Sequence, residues 1–573
     1  MVGNRSSVYP DLPLVQDGAA CAALVLAENP TEKARLAAED LRDTIEQMSG
    51  ARLPLIEAGT AFEGARILVG ESRETVALGY PAPHGYPENE RVILCRKGNF
   101  LIVLGNDDGA FTGTQFAATM LLERLGCGWY GPEELWQVIP RKKTLSVGYL
   151  NIEQTPRFTC RQTHVSRRNR DLALRWYMGG CDTQIDHAYY RLFPREQYFA
   201  AHPEWYCLVD GKRNPYIEWW QMCYSNPEVV QETIRKIDAY FTENPSCTQA
   251  ALSANDGYFE GFCECEECRR LGTPGETMVW FVNQVARGLE ERHPDKRLMF
   301  FIYFPTYDPP RRKMPLHKNV TLMFCKESCM FHAVDSGPDC GYHVRYEYDF
   351  GHTYYTLPFL ENARKWIERT DCRHTAVWDW YCPAAANPVW KDLPWVQGDV
   401  ATRNQLCFER ELGAEYVYYD QGPAEAFHDT EASYPLRWPL WYVAARGMWD
   451  GRQTASQILM DACKKLFGPA ADAMFAYYSC LADISQDCHA KGLAWHMPEP
   501  YELYTPEAVC RVDRTLSAVQ ALLPQLNGDE RRRAENQLAL WQRAKEAIAG
   551  YRTAYPEETG RQEAPADRGG SAS

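Results

Sequence analysis

Two spacings of apolar residues alternate along the first 150 positions. "AALVLAE" (22–28) and "ARILVGES" (65–72) are short apolar runs of strand length. "TEKARLAAEDLRDTIEQMSG" (31–50) instead repeats its apolar positions at helical spacing, with Thr31 placed to cap the start and Gly50 just past the end. "ERVILCRKGNFLIVLGN" (90–106) predicts a hairpin turning at Lys97-Gly98-Asn99, and "DDGAFTGTQFAATMLLERLG" (107–126) a second helix. Residues 1–150 therefore predict a small α/β domain.

From about Pro156 the pattern becomes a longer series of strand and helix. Strands are predicted at "RFTCRQTH", "GGCDTQIDH", "EWYCLVD", "TQAALSAND", "RLMFFIYF", "VTLMFCKES", "HTAVWDWY" and "AEYVYYDQG". Helical runs such as "NPEVVQETIRKIDAYFTEN" and "GETMVWFVNQVARGLEERH" separate most of them. About eight strands over 151–450 fit a (β/α)8 TIM-like barrel better than an open sheet. Residues 451–556 read as a helical region, with "ASQILMDACKKLFG" and "ERRRAENQLALWQRAKEAIAGYRTA" as its clearest helices. The polar stretch 557–573 reads as a disordered tail.

Composition narrows the partners. A net charge of −15 argues against nucleic acid, whose affinity comes mainly from clustered Lys and Arg. No apolar run reaches the roughly 18 residues of a membrane span, and the N-terminus lacks the apolar segment of a signal peptide. The expectation is a cytoplasmic protein as written, or a periplasmic or extracellular one if a signal peptide has been removed. The 17 Trp and 33 Tyr supply many flat rings, which fill cores or stack on flat ligands. "GNDDGAFTG" lacks the Gly-Lys-Ser/Thr of a phosphate loop and reads as a turn into a helix.

Candidate chemistry gathers where a barrel puts its active site, at the C-terminal strand ends. Those ends carry His164, His187, Asn255-Asp256, Tyr303 with Tyr307, Glu327, Asp379 within "WDWY", and Asp420-Gln421. Cleaving a glycosidic bond needs one group to protonate the leaving oxygen and another to stabilise an oxocarbenium-like centre. Two or three carboxylates ringed by aromatic platforms meet that need; Trp378 and Trp380 are either such platforms or core. "SRRNRD" (166–171) puts Arg167 and Arg168 just past the first strand, where either one could bind a sugar carboxylate.

"SANDGYFEGFCECEECRRL" (253–271) sets an Asn-Asp-Gly eight residues ahead of three cysteines. Cys263, Cys265 and Cys268, with Cys223 of "QMCYSN", form a candidate structural zinc site, and Cys207 is a rival for the fourth place. Reduced thiols without metal and disulfides are the alternatives. A catalytic zinc is not expected, since four sulfurs leave no open position.

"YFAAHPEWYCLVDGKR", "QMCYSNPEVV" and "SANDGYFEGFCECEECRRL" together resemble the bacterial proteins grouped as domain of unknown function 4838. That grouping includes glycoside hydrolase family 163, endo-β-N-acetylglucosaminidases acting on complex N-glycans. "GNDDGAFTGTQFAATMLLERLGCGWYGP" is similar to the domain preceding the barrel in family 20 hexosaminidases and family 67 α-glucuronidases. The resemblance spans roughly residues 20–450 and implies a glycoside hydrolase acting on N-acetylhexosamine-containing glycans.

It further implies a retaining mechanism in which the sugar's 2-acetamido group is the nucleophile. The protein then supplies one acid/base carboxyl and one group that polarises the acetamide. Such enzymes often carry two adjacent carboxylates at one strand end. This chain has Asn255-Asp256, so the second must come from Glu260, Glu327 or Asp379.

The assignment is Asp256 and Glu327 as the chemical pair, with Asp379 as sugar ligand or alternative partner. His164, Arg167, His187, Asn255, Tyr303, Trp378, Trp380, Tyr381, Tyr419 and Gln421 are expected to bind the oligosaccharide or glycan. No cofactor is expected for catalysis. An inverting uronic-acid glycosidase, and a non-catalytic carbohydrate-binding protein on a degenerate barrel, are the alternatives.

Overall fold

The computed structural model describes residues 10–217, 220–257, 261–326, 330–336, 358–381, 388–420, 434–487 and 499–554. Its first unit is a six-stranded sheet in the order Asn151–Gln154, Val92–Lys97, Phe100–Gly105, Ala65–Val69, Ala22–Leu26, Leu55–Glu57. The strand Asn151–Gln154 thus belongs to this sheet although it lies past residue 150. The hairpin turns at Gly98, with Lys97 paired to Phe100. The helix Glu32–Ser49 starts under a bond from the Ala34 N–H to the Thr31 side chain and ends at a left-handed Gly50. It packs Leu41 and Ile45 into a core shared with Leu24, Ile67, Val103 and Phe116.

The glycines of "GNDDGAFTG" have a packing reason. A Cβ on Gly113, which begins the helix Gly113–Leu125, would lie 2.6 Å from the Asn106 backbone nitrogen, and one on Gly105 would lie 2.5 Å from the Gly113 carbonyl carbon. Strand end and helix start touch backbone to backbone, leaving no room for a side chain. Gly113→Ala is therefore expected to cost about 1–3 kcal/mol. A thermal melt of the variant checks this, and an unchanged midpoint would refute the close-packing account.

The barrel is an eight-membered sheet. Its order is Gly179–Gly180, Cys160–Thr163, Ala414–Asp420, His374–Trp380, Val320–Lys326, Arg297–Ile302, Cys247–Ala251, Asp182–Thr183. All neighbours are parallel except Gly179–Gly180, which runs antiparallel to Cys160–Thr163. The two terminal members are separated only by Cys181, so the sheet nearly closes on itself. One predicted strand differs. In "EWYCLVD" only Leu208–Val209 is extended, in a two-stranded ribbon with Lys212–Arg213 outside the barrel sheet. The Gly211 turn at φ 73° folds that segment onto itself before it can reach the sheet.

Side-chain alternation sorts the barrel residues into two layers. Cys160, Met299, Phe301, Met323, Cys325, Ala376, Tyr416 and Tyr418 pack together inside. Leu298, Phe300, Leu322, Phe324, Val377, Val417 and Tyr419 face outward, into the core shared with the helices. The chain then runs through Trp438–Trp449, Ala455–Phe467, Ala471–Asp487, Pro506–Leu522 and Gly528–Ala554, all helical. From the last of these, Arg533 donates to the carbonyls of Leu135, Gln137 and Leu466, tying the C-terminal helices back to the first unit. Arg161 performs a similar task, since its buried guanidinium makes a two-pronged pair with Glu90 at 2.9 Å in each bond. No helix among the described residues is long and apolar enough to cross a membrane.

Candidate active site

The strand Ala414–Asp420 reads "AEYVYYD", and its alternation sends Tyr416 and Tyr418 inward with Asp420 next in step. A chain of polar contacts crosses the C-terminal mouth from there. The Tyr418 hydroxyl donates to Asp420 Oδ1 at 3.2 Å, and Arg167 donates to the Tyr418 oxygen at 3.4 Å with its guanidinium over the ring. Asp420 Oδ1 also lies 3.5 Å from His164 Nδ1. The far nitrogen of that ring, His164 Nε2, is buried with no hydrogen-bond partner among the described residues. A buried imidazole nitrogen so placed has a hydrogen bond to make with a water or a bound molecule. Burial, and then the Asp420 charge, push the Tyr418 hydroxyl well above its ordinary range, so it stays a donor.

Aromatic walls stand on the same face. Trp378 meets the Tyr418 ring edge-on at 4.7 Å and Phe301 at 5.1 Å. His187 packs edge-on to Phe301 at 5.3 Å and lies 6.0 Å from Tyr303. Its Nδ1 is 2.7 Å from the Ala254 carbonyl, an oxygen that can only accept. Nδ1 therefore carries the proton, which leaves Nε2 of the neutral ring as an acceptor. Trp380 is half-buried at the end of its strand.

Asp256 is half-buried beyond the strand Cys247–Ala251, and the Tyr190 hydroxyl donates to its backbone carbonyl at 3.3 Å. Burial and the Asp256 charge push that hydroxyl up to about 12. Asn255 has another task. Its Nδ2 donates to the Trp220 carbonyl at 3.0 Å and its Oδ1 accepts from the Tyr190 N–H at 3.0 Å. Gln221 clamps the Asn255 backbone at both its N–H and its C=O. With 2% of its surface exposed, Asn255 is a latch that sets the course of the Asp256 backbone rather than a sugar ligand.

Three further expectations are corrected by strand parity. Asp379 follows Val377 on the outward face and is fully buried, 2.9 Å from the equally buried Lys326 and 3.4 Å from Asn404 of the helix Gly398–Leu412. Burial raises its carboxyl, while Lys326, Asn404 and Tyr381 pull it back. Tyr381 is 1% exposed, with its hydroxyl accepting from Asn404 and its ring under Lys326. Tyr419 is fully buried, donating to the Ala401 carbonyl and accepting from Gln405. All three hold the helix layer to the strands and do not line the mouth. Glu260, Glu327 and Gln421 lie outside the described residues.

Sequence reasoning placed Asp420 at a strand end but left it out of the chemical pair, and it passed over Tyr418. The readable signal was the every-second-residue step through Tyr416, Tyr418 and Asp420. Elsewhere Cys223, Cys263, Cys265 and Cys268 bring their sulfurs within 4.8 Å of one another. Cys207 is not in that group; its N–H bonds the Gln221 carbonyl.

The family described as Domain of unknown function (DUF4838) matches residues 129–479, more than half of the chain, and the protein belongs to it. Among curated proteins no sequence matches. Solved structures of similar shape include an enzyme of glycoside hydrolase family 138 targeting the pectin rhamnogalacturonan II. It is 10% identical, with 94% of this chain and 89% of that one covered at a TM-score of 0.45. A mutant β-hexosaminidase from Streptomyces plicatus is 13% identical, with 83% and 94% covered at 0.40. A family 89 glycoside hydrolase from Clostridium perfringens is 6% identical, with 92% and 62% covered at 0.44.

Proposed function

We propose that this protein is a glycoside hydrolase that works at the C-terminal mouth of its barrel on N-acetylhexosamine-containing glycans. The observation that carries the reading is the inward-facing chain Arg167, Tyr418, Asp420 and His164 between aromatic walls, ending in a buried imidazole nitrogen with no partner among the described residues. Carboxylate, imidazole and flat rings at the top of a barrel suit a sugar, whose hydroxyls need hydrogen bonds and whose C–H faces pack on aromatics.

In this reading Asp256 protonates the leaving oxygen as the acetamido oxygen of the substrate attacks the anomeric carbon. It then takes a proton from the water that opens the cyclic intermediate. Glu327 remains the expected group polarising the acetamide, with Asp420, beside His164 and Tyr418, as a second candidate for that work. Trp378 and Tyr303 bound the sugar, and His187 Nε2 accepts from one of its hydroxyls.

Incubation with aryl glycosides of N-acetylglucosamine, N-acetylgalactosamine and glucuronic acid, and with a complex N-glycoprotein, tests the proposal by mass spectrometry of released sugar. Release of an N-acetylhexosamine-terminated product is the expected result. A second reading, a uronic-acid glycosidase with inversion, is favoured by one feature: the Arg167 guanidinium over Tyr418, where it could meet a sugar carboxylate. Release of a uronate alone would replace the first reading with this one. Silence across the panel, with sugar binding retained, would leave a carbohydrate-binding barrel.

A further inference from the structure

We infer that Cys223, Cys263, Cys265 and Cys268 hold a structural zinc ion that clasps the loops walling the mouth, independently of which sugar the mouth accepts. The sulfurs of Cys223 and Cys265 are 3.7 Å apart, and those of Cys223 and Cys268 4.0 Å. A tetrahedron with Zn–S bonds of about 2.3 Å has edges of about 3.8 Å. A disulfide needs a separation of about 2.05 Å.

The surroundings suit thiolates. The Leu208 N–H points at Cys263 Sγ at 3.3 Å and the Arg213 guanidinium at the same sulfur at 3.6 Å. The Cys268 N–H points at Cys265 Sγ at 3.5 Å, and the Ser225 hydroxyl lies 3.1 Å from Cys268 Sγ. Donors aimed at sulfur stabilise its negative charge, and Arg213 offsets part of the surplus that four thiolates leave around a divalent ion. Four sulfur ligands fill the coordination sphere, so the ion binds no water and takes no part in chemistry.

What it holds is specific. The ligands come from two separate segments, and Arg213 and the Leu208 N–H bring in a third, the ribbon Leu208–Arg213. Cys223 lies two residues after Gln221, the residue that clamps both backbone groups of Asn255, and Asp256 follows. The metal thus braces the segment whose glutamine sets the Asp256 backbone.

Full-length protein purified under reductant is expected to carry about one zinc per chain by plasma mass spectrometry. Cys268→Ser should lose it, and Cys207→Ser, at the buried cysteine outside the cluster, should keep it. If Cys268→Ser does not fold, cobalt exchange into the unmodified chain gives the second readout, as the visible absorption of a tetrahedral thiolate site. Stripping the metal should speed amide hydrogen exchange at Asn255 and Leu208 by about tenfold or more, a change that does not depend on activity. Protein that stays metal-free after incubation with zinc, zinc retained by Cys268→Ser, or iron in place of zinc would overturn the assignment. Unchanged exchange at Asn255 would overturn the coupling to the mouth.

Discussion

Asp256→Asn is expected to lower kcat on the released sugar by about 10²- to 10⁴-fold, the usual contribution of a positioned acid/base. The thermal midpoint should not move. The variant keeps the side-chain volume, and the contacts among the described residues that hold this segment run through its backbone: Tyr190 reaches the Asp256 carbonyl oxygen, and Gln221 holds the Asn255 backbone. Because protonation of the leaving oxygen belongs to the transition state, kcat and kcat/KM should fall together while KM changes little. An aryl glycoside with a very acidic leaving group should recover much of the lost rate, since it departs without a proton. Turnover within a few-fold of the unmodified protein would remove Asp256 from the chemistry.

Asp379→Asn should behave in the opposite way. Its carboxylate faces the helix layer, where it is the partner of a fully buried ammonium. Losing that charge takes the carboxylate partner away from an ammonium held in a low-dielectric site over the Tyr381 ring. Breaking one side of a buried pair costs about 3–5 kcal/mol. The midpoint in denaturant should drop accordingly, and enzyme that remains folded should turn over with a kcat close to that of the unmodified protein. Loss of turnover with unchanged stability would put Asp379 in the mouth after all. The same substitution at two strand-end aspartates thus separates chemistry from scaffolding.

Much of this was legible in sequence. Thr31 and Gly50 bound the first helix because capping is a local matter of one side-chain oxygen and one left-handed residue. The turn at Lys97-Gly98-Asn99 is equally local. "EWYCLVD" misled because its apolar content suits a strand anywhere, while the ribbon that Gly211 allows is a pairing decision. "WDWY" and "YVYYD" misled differently. Their alternation shows that Asp379 and Trp380 point to opposite faces, as do Tyr418 and Tyr419, but not which face is inside.

The sequence by itself determined the α/β first unit, the strand–helix barrel series, the helical C-terminal part and the strand ends at which to look, since each depends on periodicity or short-range turn chemistry. Only the tertiary structure decided which strand-end residues meet. Register with neighbouring strands turned Tyr418 and Asp420 inward toward His164, and Asp379 outward toward Lys326. Packing likewise brought Cys223, and not Cys207, to the three clustered cysteines. Side chains far apart in the chain converge through packing, and that proximity leaves no trace in local spacing.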